Sequence, residues 1–260
     1  MTIHFYKYQG AGNDFILLDN RDQRYSNLTL NQIKFLCDRH FGIGADGLML
    51  LNASTTHHFE MKYYNSDGNE STMCGNGGRC ITAFAKRLKL VEDKAHFLAI
   101  DGQHEAFIKE DGQVRLHMKD VNSLAVHETY MHLNTGSPHY VHFTEDVADV
   151  DMKKEGSLIR YSPLFKDEGI NVNFVEPLGT NSIFVRTYER GVEDETLACG
   201  TGVTASALCL IKDQVGKHCI AIKTLGGHLQ VECTNADGQH FSEIWLTGKA
   251  EFVFEGEIEI

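Results

Sequence analysis

Proline is scarce in this chain, three residues in 260, and no run of 18 or more apolar residues occurs. The first excludes Pro-rich linkers and collagen-like repeats, and the second leaves no candidate for a membrane-crossing helix. The opening residues MTIHFYKYQGAGND lack the basic and apolar regions of a secretory signal, so the expected compartment is the cytoplasm, with no membrane partner. Lys and Arg number 24 against 36 Asp and Glu, a net charge of −12, whereas nucleic-acid binding needs clustered cations. No nucleic-acid partner is expected. Seven cysteines, at 37, 74, 80, 199, 209, 219 and 233, form no CxxC pair, which argues for thiols over a disulfide scaffold. Fourteen histidines include no HExxH spacing, and the adjacent His57 and His58 read as solvated, so no metal site is expected.

What is there belongs to a soluble globular protein: 42% hydrophobic and 23% charged residues, in a length that suits one large domain or two of roughly 130. An internal repeat favours two. MCGNGGRCITA from Met73 resembles ACGTGVTASA from Ala198, with Cys199 following Cys74 by 125 positions. GNDFILLD from Gly12 answers GSPHYVHF from Gly136, GIGAD from Gly42 answers GINVN from Gly169, and DGQ recurs at Asp111 and Asp237. Four matches in one order at offsets of 124 to 127 indicate two homologous halves, 1–122 and 123–260, each holding one of the two cysteine motifs.

Each half reads as short alternating strands with one long helix. HEAFIKE and VRLHMKD flank Asp111-Gly112, a hairpin signal, and HCIAIKT, HLQVEC, SEIWLTG and AEFVFEGEI read as strands. Helices are expected from Gly75 to about Leu88 and from Gly200 to about Lys212. Thr29 and Gln32 form a capping box before IKFLCDRHF, with no obvious counterpart in the second half.

CGNGGR and CGTGVT each place a thiol at a loop-to-helix junction. There the first N–H groups have no intrahelical partner and the helix dipole favours negative charge, which lowers a cysteine pKa. Gly75, Gly77, Gly200 and Gly202 let a ligand approach the backbone, so the same junction can bind a carboxylate. A base beside an α-proton, with donors for the charge that forms on the carboxylate, is what α-proton abstraction needs. Two such junctions, facing each other across a cleft, would address one α-carbon from opposite sides and invert it. Taken singly, a cysteine is usually a small buried hydrophobe, the reading for Cys37, Cys80, Cys209, Cys219 and Cys233.

KYQGAGNDFILLD, RHFGIGADGLMLL, YYNSDGNESTMCGNGGRC, TGSPHYV, INVNFV and YERGVEDETLACGTGVTA together resemble the blocks of the diaminopimelate epimerase family, in that family's order. The resemblance implies an α/β (α+β) fold of two homologous domains, each a β-barrel-like, mostly antiparallel sheet around a central helix. It implies interconversion of LL- and meso-diaminopimelate in lysine and peptidoglycan precursor synthesis, without pyridoxal phosphate or metal, by a two-base mechanism with Cys74 and Cys199. Gly75, Asn76, Gly200 and Thr201 would hold the reacting carboxylate. Asn13, Asn65, Asn171, Glu189 and Arg190 would bind the rest of the substrate; Arg190 suits a carboxylate and Glu189 an ammonium. His139 would support the site. The family often has Gln where this chain has Gly47, and Asn where it has Ser137; both positions border the substrate. A homodimer is left open.

GIGADG (42–47) fits the dinucleotide letters, but a helix-like stretch precedes it and strand-like LMLLN follows, the reverse of the required context. A cysteine hydrolase would not explain a second equivalent cysteine. The nearest alternative is a racemase of proline, hydroxyproline or another amino acid on the same fold. Such a substrate, without a second charged end, gives Asn65, Asn171, Glu189 and Arg190 no partner.

Overall fold

The hydrophobic run Phe15–Leu18 sits fully buried in β2 (Asn13–Asp19), which pairs antiparallel with β1 (Thr2–Gly10) and starts the sheet of a first unit. The structure, a computed structural model, describes residues 1–260 and divides into Met1–Leu116 with Gly248–Ile260, and His117–Thr247. In the first unit, α1 (Leu30–Cys37) follows β2, capped by Thr29 and Gln32 through both bonds of the expected capping box. Then come β3 (Gly47–Asn52), parallel to β2, and β4 (Phe59–Asn65), antiparallel to β3, with β5 (Glu70–Ser71) on its edge. α2 (Gly75–Arg87) leads to β6 (Lys94–Ala99), parallel to β4, then β7 (Gly102–Ile108) and β8 (Val114–His117). β7 and β8 form the hairpin signalled by Asp111-Gly112, with Gly112 at φ 80°.

The second unit repeats that order. After β9 (Leu124–Val126) come β10 (Met131–Asn134) and β11 (Pro138–Phe143), then α3 (Met152–Arg160), then β12 (Asn171–Gly179), parallel to β11. β13 (Ser182–Glu189) is antiparallel to β12 and carries β14 (Asp194–Thr196); α4 (Gly200–Leu210) follows. β15 (Gly216–Thr224) is parallel to β13, with β16 (Gly227–Asn235) antiparallel to it and β17 (Phe241–Gly248) next in the chain. β9 borders β10, and β18 (Glu251–Glu259) returns to the first unit to border β1 in the same antiparallel sense.

In each unit the strands enclose one helix. α2 touches β1, β2, β3, β7 and β18, while α4 touches β10 to β13, β15 and β16. α4 is apolar or small all round and buried along almost its whole length, as a helix inside a sheet must be. Two of its polar side chains turn back on the helix: Thr204 Oγ1 donates to the Gly200 carbonyl at 2.9 Å and Ser206 Oγ to Gly202 at 2.8 Å. The fold is thus mixed α+β, mostly strand, with a central helix in each of two matching units.

Two sequence expectations need correction. α1 does have a counterpart: α3 stands between β11 and β12 as α1 stands between β2 and β3, capped by Asp151, whose side chain accepts from Lys154 N–H. Cys219, read as buried, lies exposed on β15, because its position in HCIAIKT alternates with the inward Ile220 and Ile222. No helix is long and apolar enough to cross a membrane.

Candidate active site

Cys74 is the N-cap of α2. Its backbone is extended (φ −104°, ψ 151°), and its sulfur accepts the Gly77 N–H at 3.2 Å. A thiolate there receives one of the helix's unpaired donors directly. A Cβ at Gly77 would meet Met49 Cε at 2.6 Å and the Cys74 sulfur at 3.1 Å, so a side chain there would displace the Met49 tip and crowd the thiol. Asn76 is buried and its Nδ2 donates to Asn13 Oδ1 at 3.3 Å, joining the helix start to the start of β2. Beneath it lies Arg79, fully buried, donating to Asn76 Oδ1 at 2.9 Å and to the Gly75 carbonyl at 3.1 Å. Burial lowers the Arg79 pKa, with the Cys80 and Cys74 sulfurs acting in the opposite sense.

Asn13 is held in turn by Asp46, whose carboxylate accepts from Asn13 Nδ2 and from the Asp14 N–H. Arg39 bridges Asp46 and Asp14, each at 2.7 Å, and Lys7 pairs with Asp14 at 2.7 Å. Burial would raise the Asp14 pKa, but the hydrogen bonds and charges of Arg39 and Lys7 outweigh it and hold the carboxyl at about 2. Gly47 and Asn65 are partners in the β3–β4 register; Asn65 is exposed at the strand end.

Cys199 is the N-cap of α4 and is buried. Its sulfur lies 3.5 Å from Thr201 Oγ1, which is 2.9 Å from His139 Nε2. His139 is fully buried, and its pKa is pushed down to about 3, first by burial and then by the charges of Arg190 and His132. Its Nδ1 faces Asn173 Nδ2 at 3.1 Å. At the edge of this cluster, Asn171 Nδ2 donates to Ser137 Oγ at 3.0 Å and Asn171 Oδ1 accepts the Arg190 N–H at 2.8 Å. Glu189 accepts from Thr196 Oγ1 at 3.0 Å, and the exposed Arg190 guanidinium donates to the Glu168 carbonyl at 2.8 Å.

Strand register makes the two sites comparable position by position. Phe15 faces Gly47 as His139 faces Asn171, and Met49 faces Tyr63 as Asn173 faces Thr187. Met49 fills the space against Gly77, and Asn173 Oδ1 fills the corresponding space against Gly202, 2.4 Å from where a Cβ would stand. The same three register positions hold Phe15, Met49 and Tyr63 in the first unit and His139, Asn173 and Thr187 in the second.

The diaminopimelate epimerase family model matches residues 5–124 and 131–253. The chain belongs to the diaminopimelate epimerase family. Membership makes it an epimerase, a kind of isomerase. A diaminopimelate epimerase of Flavobacterium psychrophilum is 51% identical over 97% of this chain and 99% of its own length; that of Chlorobaculum tepidum is 40% identical over 96% and 99%. Among solved structures, a PhzF-family phenazine biosynthesis protein of Bacillus anthracis matches with a TM-score of 0.76 at 15% identity, covering all of both chains. A hydroxyproline epimerase of Agrobacterium vitis matches at 0.72 and 12% identity, over 99% of this chain and 92% of that one. At such identities these two speak for the fold alone.

Within the first unit the structure groups Cys74, Gly75, Asn76 and Asn13 through α2 and β2, with Gly47 and Asn65 across the adjoining strands. Within the second it groups Cys199, Gly200, Thr201, His139, Ser137, Asn171 and Arg190, with Glu189 one residue along β13. Sequence reading missed Asn173, Thr187 and Arg79. Asn173 had a findable signal, since in INVNFV it lies two residues from Asn171 and so on the same face of the strand. The remaining buried thiols stand apart: burial pushes Cys37 up to about 12 and Cys233 to about 11, and raises Cys80 and Cys209 too, which leaves them protonated and inert.

Proposed function

We propose that this chain interconverts LL- and meso-diaminopimelate, with Cys74 and Cys199 as the acid/base pair, in the cytoplasm and in the supply of lysine and peptidoglycan precursors. One thiolate removes the α-proton, and the other thiol returns a proton to the opposite face of the planar carbon that results. The observation that carries this reading is that the same position, the N-cap of the enclosed helix, is a cysteine in both units. A repeated fold keeps a thiol twice at a place where helix dipole and unpaired N–H groups favour its ionised form.

The backbone N–H groups of Gly75, Asn76, Gly200 and Thr201 lie at the same helix starts and suit the reacting carboxylate, whose charge grows as the α-proton leaves. Asn65, Asn171, Glu189 and Arg190 suit the far amino-acid end: an ammonium against Glu189 and a carboxylate against Arg190. Asn13, Ser137 and His139 hold these groups in place through the bonds described above.

The test combines stereochemistry and isotope exchange. In deuterated water the native chain is expected to convert either isomer of diaminopimelate to the other and to place deuterium at one α-carbon. Cys74→Ala and Cys199→Ala should each abolish conversion, since each direction requires a base and an acid. Near-native turnover by either variant would sink the two-base assignment, and faster racemisation of proline than of diaminopimelate would sink the substrate.

A further inference from the structure

Two arginines of the second unit converge on Gly169. A Cβ at that glycine would meet Arg190 Cδ at 2.5 Å and the Arg160 guanidinium carbon at 2.8 Å, so the two side chains lie side by side over it. Both also donate to the segment between α3 and β12, Arg160 to the Lys166 carbonyl at 3.3 Å and Arg190 to the Glu168 carbonyl at 2.8 Å. Neighbouring cations repel, so such an arrangement needs a counter-charge. Arg160, the last residue of α3, has one in Glu193 Oε1, 3.3 Å from its Nε, and its guanidinium also covers the Tyr161 ring at 4.8 Å. Glu193 in turn closes the turn that follows β13. It stands at φ 57°, a conformation that a side chain disfavours, and its N–H donates to the Glu189 carbonyl at 2.8 Å. Its carboxylate accepts the Gly191 N–H at 3.1 Å and the Tyr188 hydroxyl at 3.3 Å. Burial would raise its pKa, but the bonds from Gly191 and Tyr161, the Arg160 charge and the Tyr188 bond together hold it below its ordinary value. Glu189 and Arg190 are the first two residues of the turn so closed. The first unit has a parallel: Arg39, just past the end of α1, pairs with Asp46, whose carboxylate holds Asn13.

We propose that Arg160 and Glu193 form a latch between α3 and the turn after β13, which holds Arg190 in position for the far carboxylate and makes the C-terminal end of α3 a determinant of substrate affinity. The inference deepens the reading of Arg190 as a binding residue and rests on it. Arg160 and Glu193 are positioning residues: the guanidinium of Arg160 is engaged by Glu193, the Lys166 carbonyl and the Tyr161 ring, and it acts on substrate through Arg190. An exposed ion pair adds little to stability, so the effect of the latch falls on the geometry of the turn more than on the fold.

The test pairs amide hydrogen exchange with steady-state kinetics on diaminopimelate. Arg160→Met keeps the apolar stem and removes the guanidinium; amides of a peptide spanning 187–195 should exchange about tenfold faster while those of α4 are unchanged. Its KM should rise about tenfold, with kcat changed by no more than about twofold. Arg160→Lys keeps the charge facing Glu193 and should recover most of the native KM. Glu193→Gln breaks the pair from the other side and should reproduce the effect in part; it decides should Arg160→Met not fold. In an Arg190→Met background, Arg160→Met should add little to KM, because the latch acts through Arg190. Unchanged exchange in the turn, an unchanged KM in Arg160→Met while Arg190→Met raises it, or effects of the two changes that multiply would each overturn the latch. Exchange is measured without substrate, so failure of the latch is distinct from failure of the far-carboxylate reading, which an unchanged KM in Arg190→Met would reveal.

Discussion

Arg79 donates to Asn76 Oδ1 at 2.9 Å from a fully buried position inside the first turns of α2, and its other partner is the Gly75 carbonyl at 3.1 Å, not a carboxylate. Its Nε has no hydrogen-bond partner at all. A buried cation satisfied only in part costs stability, so its presence points to a task at the helix start that it orders. Arg79→Met removes both the charge and the two bonds. It should lower kcat/KM by roughly 10- to 100-fold, in line with losing hydrogen bonds to a charged group, while unfolding free energy moves by no more than about 1–2 kcal/mol because the lost bonds and the relieved burial of charge oppose each other. Steady-state kinetics beside a urea titration would separate the two; a large loss of stability with unchanged kinetics would make Arg79 purely structural.

The Lys7–Asp14–Arg39 cluster sets a pH dependence of stability. The Asp14 carboxyl is held at about 2, below its ordinary value, so the unfolded chain binds its proton more readily than the folded one. Stability from this group is present in full above pH 4 and is lost as pH falls from about 4 through about 2. The size follows from the shift, about 2 kcal/mol. Asp14→Asn should therefore destabilise the protein at pH 7 by about 2–4 kcal/mol, since it also removes the counter-ion of the buried Lys7, leaving it the Gly44 carbonyl. The gap to the native chain should narrow between pH 4 and pH 2. Urea titrations at several pH values would show it, and a gap that does not change with pH would contradict the assignment.

How much of this could be read in the sequence depends on what kind of signal each feature leaves. Cys74 and Cys199 declare themselves because glycine patterns beside them repeat, and a helix opening that must accept ligand or sulfur at close range can use few other residues. α1 is legible from its capping box, whereas α3 has no such box and only a short stripe, Met152, Gly156 and the partly buried Ile159. Its place is fixed by packing, with Tyr188 set against Gly156 where a Cβ would lie 2.5 Å away. The division of labour between Phe15 and His139, or Met49 and Asn173, needs strand register, which single-strand patterns do not supply. β18 shows the same limit: its strand character is plain in AEFVFEGEI, but its partner, β1, lies at the other end of the chain.

Gly47 illustrates a departure that the structure explains. A Cβ there would stand 2.5 Å from the Tyr63 ring and 2.6 Å from the Tyr64 carbonyl, so the Tyr63 side chain accounts for part of the obstruction and the backbone for the rest. Gly47→Ala should cost about 1–3 kcal/mol, as overpacking does. The paired change Gly47→Ala with Tyr63→Val should cost less than the sum of the two single changes, by more than the roughly 0.5 kcal/mol expected of independent sites. Simple additivity in a double-mutant cycle would show that the two residues do not share this space.

The last prediction concerns Arg190, the residue assigned to the far carboxylate of the substrate. Its backbone N–H is tied to Asn171, its guanidinium to the Glu168 carbonyl, and its stem crosses Gly169, where a Cβ would meet Cδ at 2.5 Å. Gly169 also sits at φ 74°, so a side chain there is strained as well as obstructive. The guanidinium is exposed and is assigned to the far carboxylate, not to the reacting centre, so on that assignment it contributes binding rather than chemistry. Arg190→Met should therefore raise KM by roughly 10- to 100-fold, as loss of a charge-assisted, forked contact does, and change kcat much less. Arg190→Lys keeps the charge but not the fork and should fall between. Gly169→Ala, which displaces the Arg190 stem without touching substrate, should reproduce part of the KM effect. If instead Arg190→Met lowers kcat and leaves KM alone, the residue acts on the reacting centre and the far-end assignment is wrong.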